Sequence, residues 1–260
     1  MESNLQIVSD AAALSRAAAD IFIAAANQAV EKKGAFTVAL SGGSTPKALY
    51  SLLTTDRDLS SRVPWQNIDI FFGDERHVPP DLPDSNYGAA HEAMLSKVPV
   101  SPARVFRMKG EYKETDEAAA EYEQVLREYF HLLAGQLPRF DLVMLGMGPD
   151  GHTASLFPGT KALDENKRLV TSNWVGKFYT HRITMTAAVL NNAARVMFMA
   201  HGQDKAQALK AVLEGPHEPA QLPSQLIRPT HGMLWWLVDE SAAALLDPST
   251  TNPIKIAATG

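Results

Sequence analysis

The sequence predicts a single α/β domain: a three-layer α/β/α sandwich built on a mostly parallel, Rossmann-like sheet. Three observations point there. Helix-like and strand-like segments alternate along nearly the whole chain. The strand-like segments are apolar on both faces, the pattern of strands covered by helices on each side. Polar, glycine-rich runs follow several of them directly, where such sheets bind their ligands.

Ala11 to Lys33 reads as an amphipathic helix, because Leu14, Ala18, Ile21, Ala25 and Ala29 recur every three or four residues. Gly34 ends it after two lysines, a common C-terminal arrangement. Phe36 to Leu40 is a short apolar strand, and Ser41-Gly42-Gly43-Ser44-Thr45-Pro46 leads from it into a helix over Lys47 to Leu53. A second strand, Ile68 to Phe72, runs straight into Gly73-Asp74-Glu75-Arg76. A loop rich in proline and aspartate then precedes a helix from about Asn86 to Lys97. Thr115 to Leu133 is amphipathic, with Ala119, Tyr122, Val125, Leu126 and Tyr129 facing inward. Asp141 to Leu145 is the most apolar central strand and ends in Gly146-Met147-Gly148-Pro149-Asp150-Gly151-His152. Arg195 to Ala200 and Met233 to Val238 are strands, followed by helices over Lys205 to Leu213 and Glu240 to Leu246. Gly215 to Pro223 reads as irregular loop, residues 1–247 as one domain, and Pro248 to Gly260 as a loose tail.

Composition narrows the function classes. With 24 basic and 29 acidic side chains the formal charge is −5, which disfavours nucleic acid as a partner. The absence of cysteine removes disulfide scaffolds, thiolate metal sites and cysteine nucleophiles. No His-Glu-x-x-His occurs and the histidines are scattered, so no metal is expected. The N-terminus lacks the basic cluster of a signal peptide, and no uninterrupted apolar stretch approaches about 18 residues. A cytoplasmic protein with no membrane partner is expected.

Four segments carry chemistry. In Ser41 to Pro46, Gly42 and Gly43 permit a tight turn and the close approach of a ligand. Ser44 or Thr45 can cap the following helix, and Pro46 suits its first turn. Free N–H groups there suit an anion, phosphate above all; a plain capped turn is the alternative. Asp74, Glu75, Arg76 and His77 gather at one sheet edge. Arg76 can fork onto a phosphate or carboxylate, and Asp74 can accept hydroxyls or move a proton; an ion-pair cluster fixing the loop is the bland reading. Gly146 to Gly151 matches the dinucleotide fingerprint G-x-G-x-x-G. Pro158 and Gly159 stop any helix behind it within two turns, and no β-rich run precedes Asp164 or Glu165, so that reading is rejected. His152 instead lies in a glycine-rich loop at a strand's carboxyl edge, placed for acid–base work with Asp150 near enough to orient it. A histidine satisfied by backbone carbonyls is the competing reading. Arg182 and Lys205 complete the set. A lysine at a helix start is unfavourable beside the helix dipole unless an anion is near; an ordinary solvent-facing lysine is the alternative. The chain lacks the Gly-x-Ser-x-Gly of serine hydrolases, and Trp235 and Trp236 read as core.

Ser41 to Pro46, Gly73 to Arg76 with Asp84-Ser85-Asn86 downstream, and Asp141 to Gly159 together resemble the 6-phosphogluconolactonase family. That family is a branch of the group that also holds glucosamine-6-phosphate isomerase/deaminase. Arg182-Ile183-Thr184-Met185-Thr186 and the segment around Lys205 follow in the expected order, so the resemblance spans about Phe36 to Leu246. The isomerase/deaminase branch continues Asp-Gly-His with Ile-Ala-Phe-Asn-Glu, whereas this chain reads Thr153-Ala154-Ser155-Leu156-Phe157, without the carboxylate. It also has Arg76 where that branch typically has tyrosine. Both departures favour the lactonase.

The resemblance implies hydrolysis of 6-phospho-D-glucono-1,5-lactone to 6-phospho-D-gluconate, a step of the pentose phosphate pathway, with no cofactor or metal. His152 is the implied general base, with Asp150 or Asp74 as its partner. The loop Gly43 to Thr45, Arg182 and Lys205 would hold the 6-phosphate, with Arg76 on the phosphate or nearby oxygens. Asp74 would contact hydroxyls or position the water, and N–H groups of the glycine-rich loop are candidate oxyanion donors. A sugar-phosphate lactone is then the small-molecule partner of a monomer or weak homodimer. An amino-sugar phosphate isomerase/deaminase and a non-catalytic sugar-phosphate sensor are the alternatives.

Overall fold

The computed structural model describes residues 2–251, and the elements run in this order. They are β1 (Glu2–Val8), α1 (Ala11–Lys33), β2 (Phe36–Leu40), α2 (Ser44–Thr55), α3 (Arg57–Arg62), β3 (Ile68–Phe72), β4 (Asp74–Arg76), α4 (Asn86–Ala93), α5 (Thr115–Tyr129), β5 (Leu142–Gly146), β6 (Val170–Val175), β7 (Thr180–Met185), α6 (Ala187–Asn191), β8 (Arg195–Ala200), α7 (Ala206–Glu214), β9 (Met233–Asp239), α8 (Glu240–Ala243) and α9 (Pro248–Thr251). Of the expected tail, Pro248–Thr251 is thus one helical turn, and the remainder lies outside the described residues.

Alanine-rich α1 has the composition that favours helix most, and both its ends are fixed. Asp10 accepts the N–H of Ala13 at 2.8 Å, and Gly34, at φ +81°, donates to the Val30 carbonyl. Leu14, Ala18, Phe22, Ala25 and Ala29 are buried, while Ile21 lies at the margin of the buried stripe.

Six strands form one all-parallel sheet in the order β1-β9-β8-β5-β2-β3. Alternation sends Val38, Leu40, Leu142 and Met144 to the core under α1, α2 and α4. Ala39, Phe71, Val143 and Leu145 go to the core under α5, α6 and α7. Each fully buried Leu or Phe contributes about 1.5–3 kcal/mol, so both faces demand apolar residues and the strands read as apolar runs.

A second sheet of three antiparallel strands, β4-β7-β6, stands at the carboxyl edge of the first. Sequence alone predicts no strand over Asp74–Arg76, Val170–Val175 or Thr180–Met185. Gly73 makes the transfer between sheets. Its N–H pairs with the Leu40 carbonyl of β2 at 2.9 Å, and its carbonyl accepts from Met185 of β7 at 2.8 Å. Edge strand β1 was also unforeseen. Several expected helices are shorter: the one from Asn86 ends at Ala93, the one from Thr115 at Tyr129, and the one from Glu240 at Ala243. No helix among the described residues is long and apolar enough to cross a membrane.

Candidate active site

Chain connections diverge at the middle of the large sheet. β2 leads on to β3 on one side, while β5, its neighbour on the other, leads on to β8. Loops leaving the two adjacent strands therefore part and open a crevice, the usual ligand position in such folds. A cleft of about 220 Å³ lies there. Gly42, Gly43, Ser44 and Thr45 line it beside Asp74, Arg76, Asn86, Gly148, His152 and Lys205.

The loop after β2 is set by Tyr50 of α2, whose hydroxyl accepts from Ser41 N and donates to the Ser41 carbonyl. Gly43, at φ +102°, takes the cap position of α2, so Ser44 and Thr45 fall within its first turn rather than capping it. Among the described residues no side chain caps this helix. Its first N–H groups thus keep the partial positive charge of a helix start beside the cleft. Gly42 is needed for another reason: a Cβ there would stand 1.8 Å from Asn86 Oδ1.

The loop after β5 holds the histidine. His152 Nδ1 bonds Asp150 Oδ1, and the ring stacks on Phe157 with centroids 4.0 Å apart. Burial opposes ionisation of Asp150, but the His152 imidazole and the Lys177 ammonium outweigh it and hold the carboxyl well below the usual range. An ionised carboxylate can only accept, so Nδ1 carries the proton and Nε2 is left as the basic nitrogen. Gly148 donates its N–H to the His152 carbonyl at 2.9 Å, and Gly151 donates to the Gly148 carbonyl at 3.0 Å. Those two donors, expected as oxyanion candidates, are therefore already engaged. Ser224 clamps the loop from outside, with its N–H and hydroxyl both on the Gly151 carbonyl.

Asp74 faces the same cleft but is held by other groups. Its Oδ2 accepts from Ser155 Oγ at 2.7 Å, and its Oδ1 accepts from Asn86 Nδ2 at 3.2 Å. The adjacent Glu75 is buried, and accepts from Ser85 Oγ and from the N–H groups of Arg76, Asn86 and Tyr87.

Comparison with known proteins gives the chain's family. The family model described as glucosamine-6-phosphate isomerases/6-phosphogluconolactonase matches residues 9–236. The chain belongs to this family. A 6-phosphogluconolactonase of Nostoc sp. is 38% identical over 246 residues, covering 95% of this chain and 99% of the relative. A second, from Synechocystis sp., is 40% identical over 221 residues, covering 85% and 89%. The solved 6-phosphogluconolactonase of Trypanosoma cruzi superposes with a TM-score of 0.82 at 28% identity, covering 95% of this chain and 98% of that one.

Within the family's fold, the cleft brings together all the anticipated residues but two. Asp150 stands behind His152 as its partner. Arg182 lies opposite Arg76 in the β4–β7 register, yet does not line the cleft; its guanidinium packs over the Phe178 ring at 5.6 Å. Burial and the neighbouring Arg76 charge together push Arg182 below its ordinary value. Lys205 precedes α7 and pairs with Asp204 at 2.8 Å. Asn86, Ser155, Phe157 and Lys177 were not singled out from the sequence. The first three lie inside the motifs that carry the resemblance, but nothing in their spacing shows which groups they touch.

Proposed function

We propose that the protein is a 6-phosphogluconolactonase that hydrolyses 6-phospho-D-glucono-1,5-lactone to 6-phospho-D-gluconate, with His152 as general base. The observation that carries the reading is the Asp150–His152 pair, with its carboxylate held ionised, in one cleft with Arg76, Lys205 and the uncapped start of α2. The names of the relatives support the substrate.

The 6-phosphate binds at Gly42 to Thr45 with Lys205, where helix N–H groups and an ammonium offset a dianion. Anchoring the phosphate directs the distant C1 carbonyl toward His152, which is remote binding energy used for orientation. Nε2 takes a proton from water as the water oxygen attacks C1. Arg76 is the side chain proposed to stabilise the resulting oxyanion. Collapse breaks the bond from C1 to the ring oxygen, and the imidazolium returns the proton to that oxygen. Asp74, fixed by Ser155 and Asn86, accepts sugar hydroxyls or holds the water.

Purified protein assayed with freshly generated lactone tests this. Acid release should exceed the spontaneous background, and His152→Ala should lose roughly 10²-fold or more of that excess. No excess from the wild type would reject the assignment. Full activity in His152→Ala would reject only the base. Ammonia release from glucosamine 6-phosphate, the other activity in the family's description, should be absent.

A further inference from the structure

The short turn that joins β6 to β7 reaches from the second sheet back to the Asp150–His152 pair. Lys177 Nζ lies 3.0 Å from Asp150 Oδ2, the carboxylate oxygen that the His152 ring does not use. The next residue, Phe178, sets its ring edge-on to Phe157 at 5.8 Å, and Phe157 stacks on His152. One turn therefore touches both supports of the imidazole, its hydrogen-bond partner and its stacking partner.

The turn is also held in an uncommon shape. Tyr179 closes it in the left-handed region at φ +48°, its N–H donated to the Gly176 carbonyl at 3.3 Å. A tyrosine there is disfavoured by its own Cβ, so the surroundings must impose the conformation. Tyr179 is 85% exposed and buries little, so its own packing does not account for the shape. Its two predecessors are the residues of the turn that make contacts. Lys177 and Arg182 stand over the Phe178 ring at 5.5 and 5.6 Å, cations on an aromatic face.

We propose that Lys177 is a positioning residue for the hydrolysis, which together with Phe178 fixes the Asp150 carboxylate and, through it, the plane and tautomer of His152. The inference rests on His152 being the base. A carboxylate held through one oxygen can pivot about that bond, and a cation on the second oxygen removes the freedom. The ammonium also offsets the carboxylate's attraction for an imidazolium. The charged groups facing the pair are Asp150 and Lys177 themselves, with Asp74, Arg76 and Lys205 elsewhere around the cleft. Without Lys177 the carboxylate acts unopposed, and the acid limb of activity moves to higher pH.

Lys177 is half-exposed, so its replacement leaves the core intact. In Lys177→Met, kcat should fall about tenfold through loss of alignment, with KM within about twofold. The acid limb should rise by about half a pH unit. Lys177→Arg should recover most of both. An unchanged kcat and limb in Lys177→Met would overturn the proposal, as would a change in KM alone or an arginine variant no better than methionine. Titration of the His152 ring followed by NMR decides the matter independently of turnover. Its midpoint should rise in Lys177→Met, and an unmoved midpoint overturns the proposal. A wild type with no turnover would sink the lactonase reading while leaving this titration to judge the role of Lys177.

Discussion

His152 is supported on three sides: Asp150 at Nδ1, Phe157 against one face, and a loop whose Gly148 N–H bonds the His152 carbonyl. Gly148 shows how little room is left, since a Cβ there would stand 2.0 Å from Nδ1. The carboxylate decides the tautomer, and Asp150→Asn tests that directly. An amide can donate as well as accept, so it no longer forces the proton onto Nδ1, and kcat should drop by roughly 10²–10⁴. The pH dependence has a definite sign. Asp150, depressed below the ordinary carboxylate value, stays ionised as pH falls into the acid range, so the proposed mechanism assigns the acid limb of kcat/KM to the general base and not to Asp150. Activity should fall with falling pH through that limb, with no step contributed by Asp150 above about pH 4. A pH–rate profile of wild type and Asp150→Asn measures both. His152 and Asp150 were legible in the sequence because their loop follows an apolar strand. Lys177 was not, because 27 positions separate it from Asp150 and an antiparallel pairing brings them together.

At the scale of elements, two buried glutamates tie helices and loops to the strands and respond to pH in opposite directions. Burial raises the Glu75 carboxyl against the N–H groups of Tyr87, Arg76 and Asn86. Its folded form binds a proton more readily than the unfolded chain, so its contribution to stability declines as pH rises past the ordinary glutamate value. Glu123 of α5 is the converse. Burial opposes its charge, but Arg168, Arg127 and the Leu169 N–H outweigh it and lower the carboxyl. Its stabilisation is complete above the ordinary value and is lost as pH falls through the folded one. Glu123→Gln should therefore cost about 1–2 kcal/mol near neutrality, because an amide has one acceptor oxygen for the buried Leu169 N–H and the two half-exposed guanidiniums. For a chain this long that is a fall of roughly 2–4 °C per kcal/mol in Tm, and the gap from wild type should narrow well below the ordinary glutamate value. Thermal unfolding at neutral and acid pH measures it. The same strands explain what sequence periodicity could and could not reveal. Phe36–Leu40 and Ile68–Phe72 are buried on both faces and stand out as apolar runs. β6 mixes buried Val170, Asn173 and Val175 with exposed Trp174, and β4 has three polar residues, so neither carries a recognisable period. β1 pairs with β9 alone along one edge, and its Gln6 is exposed.

For the molecule as a whole, a chain of net charge −5 concentrates cations on one crevice. Lys205 and Arg76 line it, and Arg182 sits opposite Arg76 across two strands. Like charges so placed cost stability in the empty protein, and a bound dianion relieves that cost, so ligand affinity and folding stability are linked. The product, 6-phosphogluconate, should then raise Tm in a concentration-dependent way. At about 100 times its Kd the gain is roughly 2.7 kcal/mol, or several degrees for a domain of this size. The variants separate the cations by position. Lys205→Ala should need markedly more ligand for the same shift and raise KM for the lactone, because it removes a charge from the cleft wall. Arg182→Ala should weaken the shift less, because that guanidinium lies over Phe178 rather than on the wall. Thermal shift titrations of the three proteins at low and high salt measure this order. The Lys205 contribution should shrink with added salt, since its side chain keeps contact with solvent. Equal shifts in all three proteins would remove both residues from phosphate binding and leave the start of α2 as the anion site.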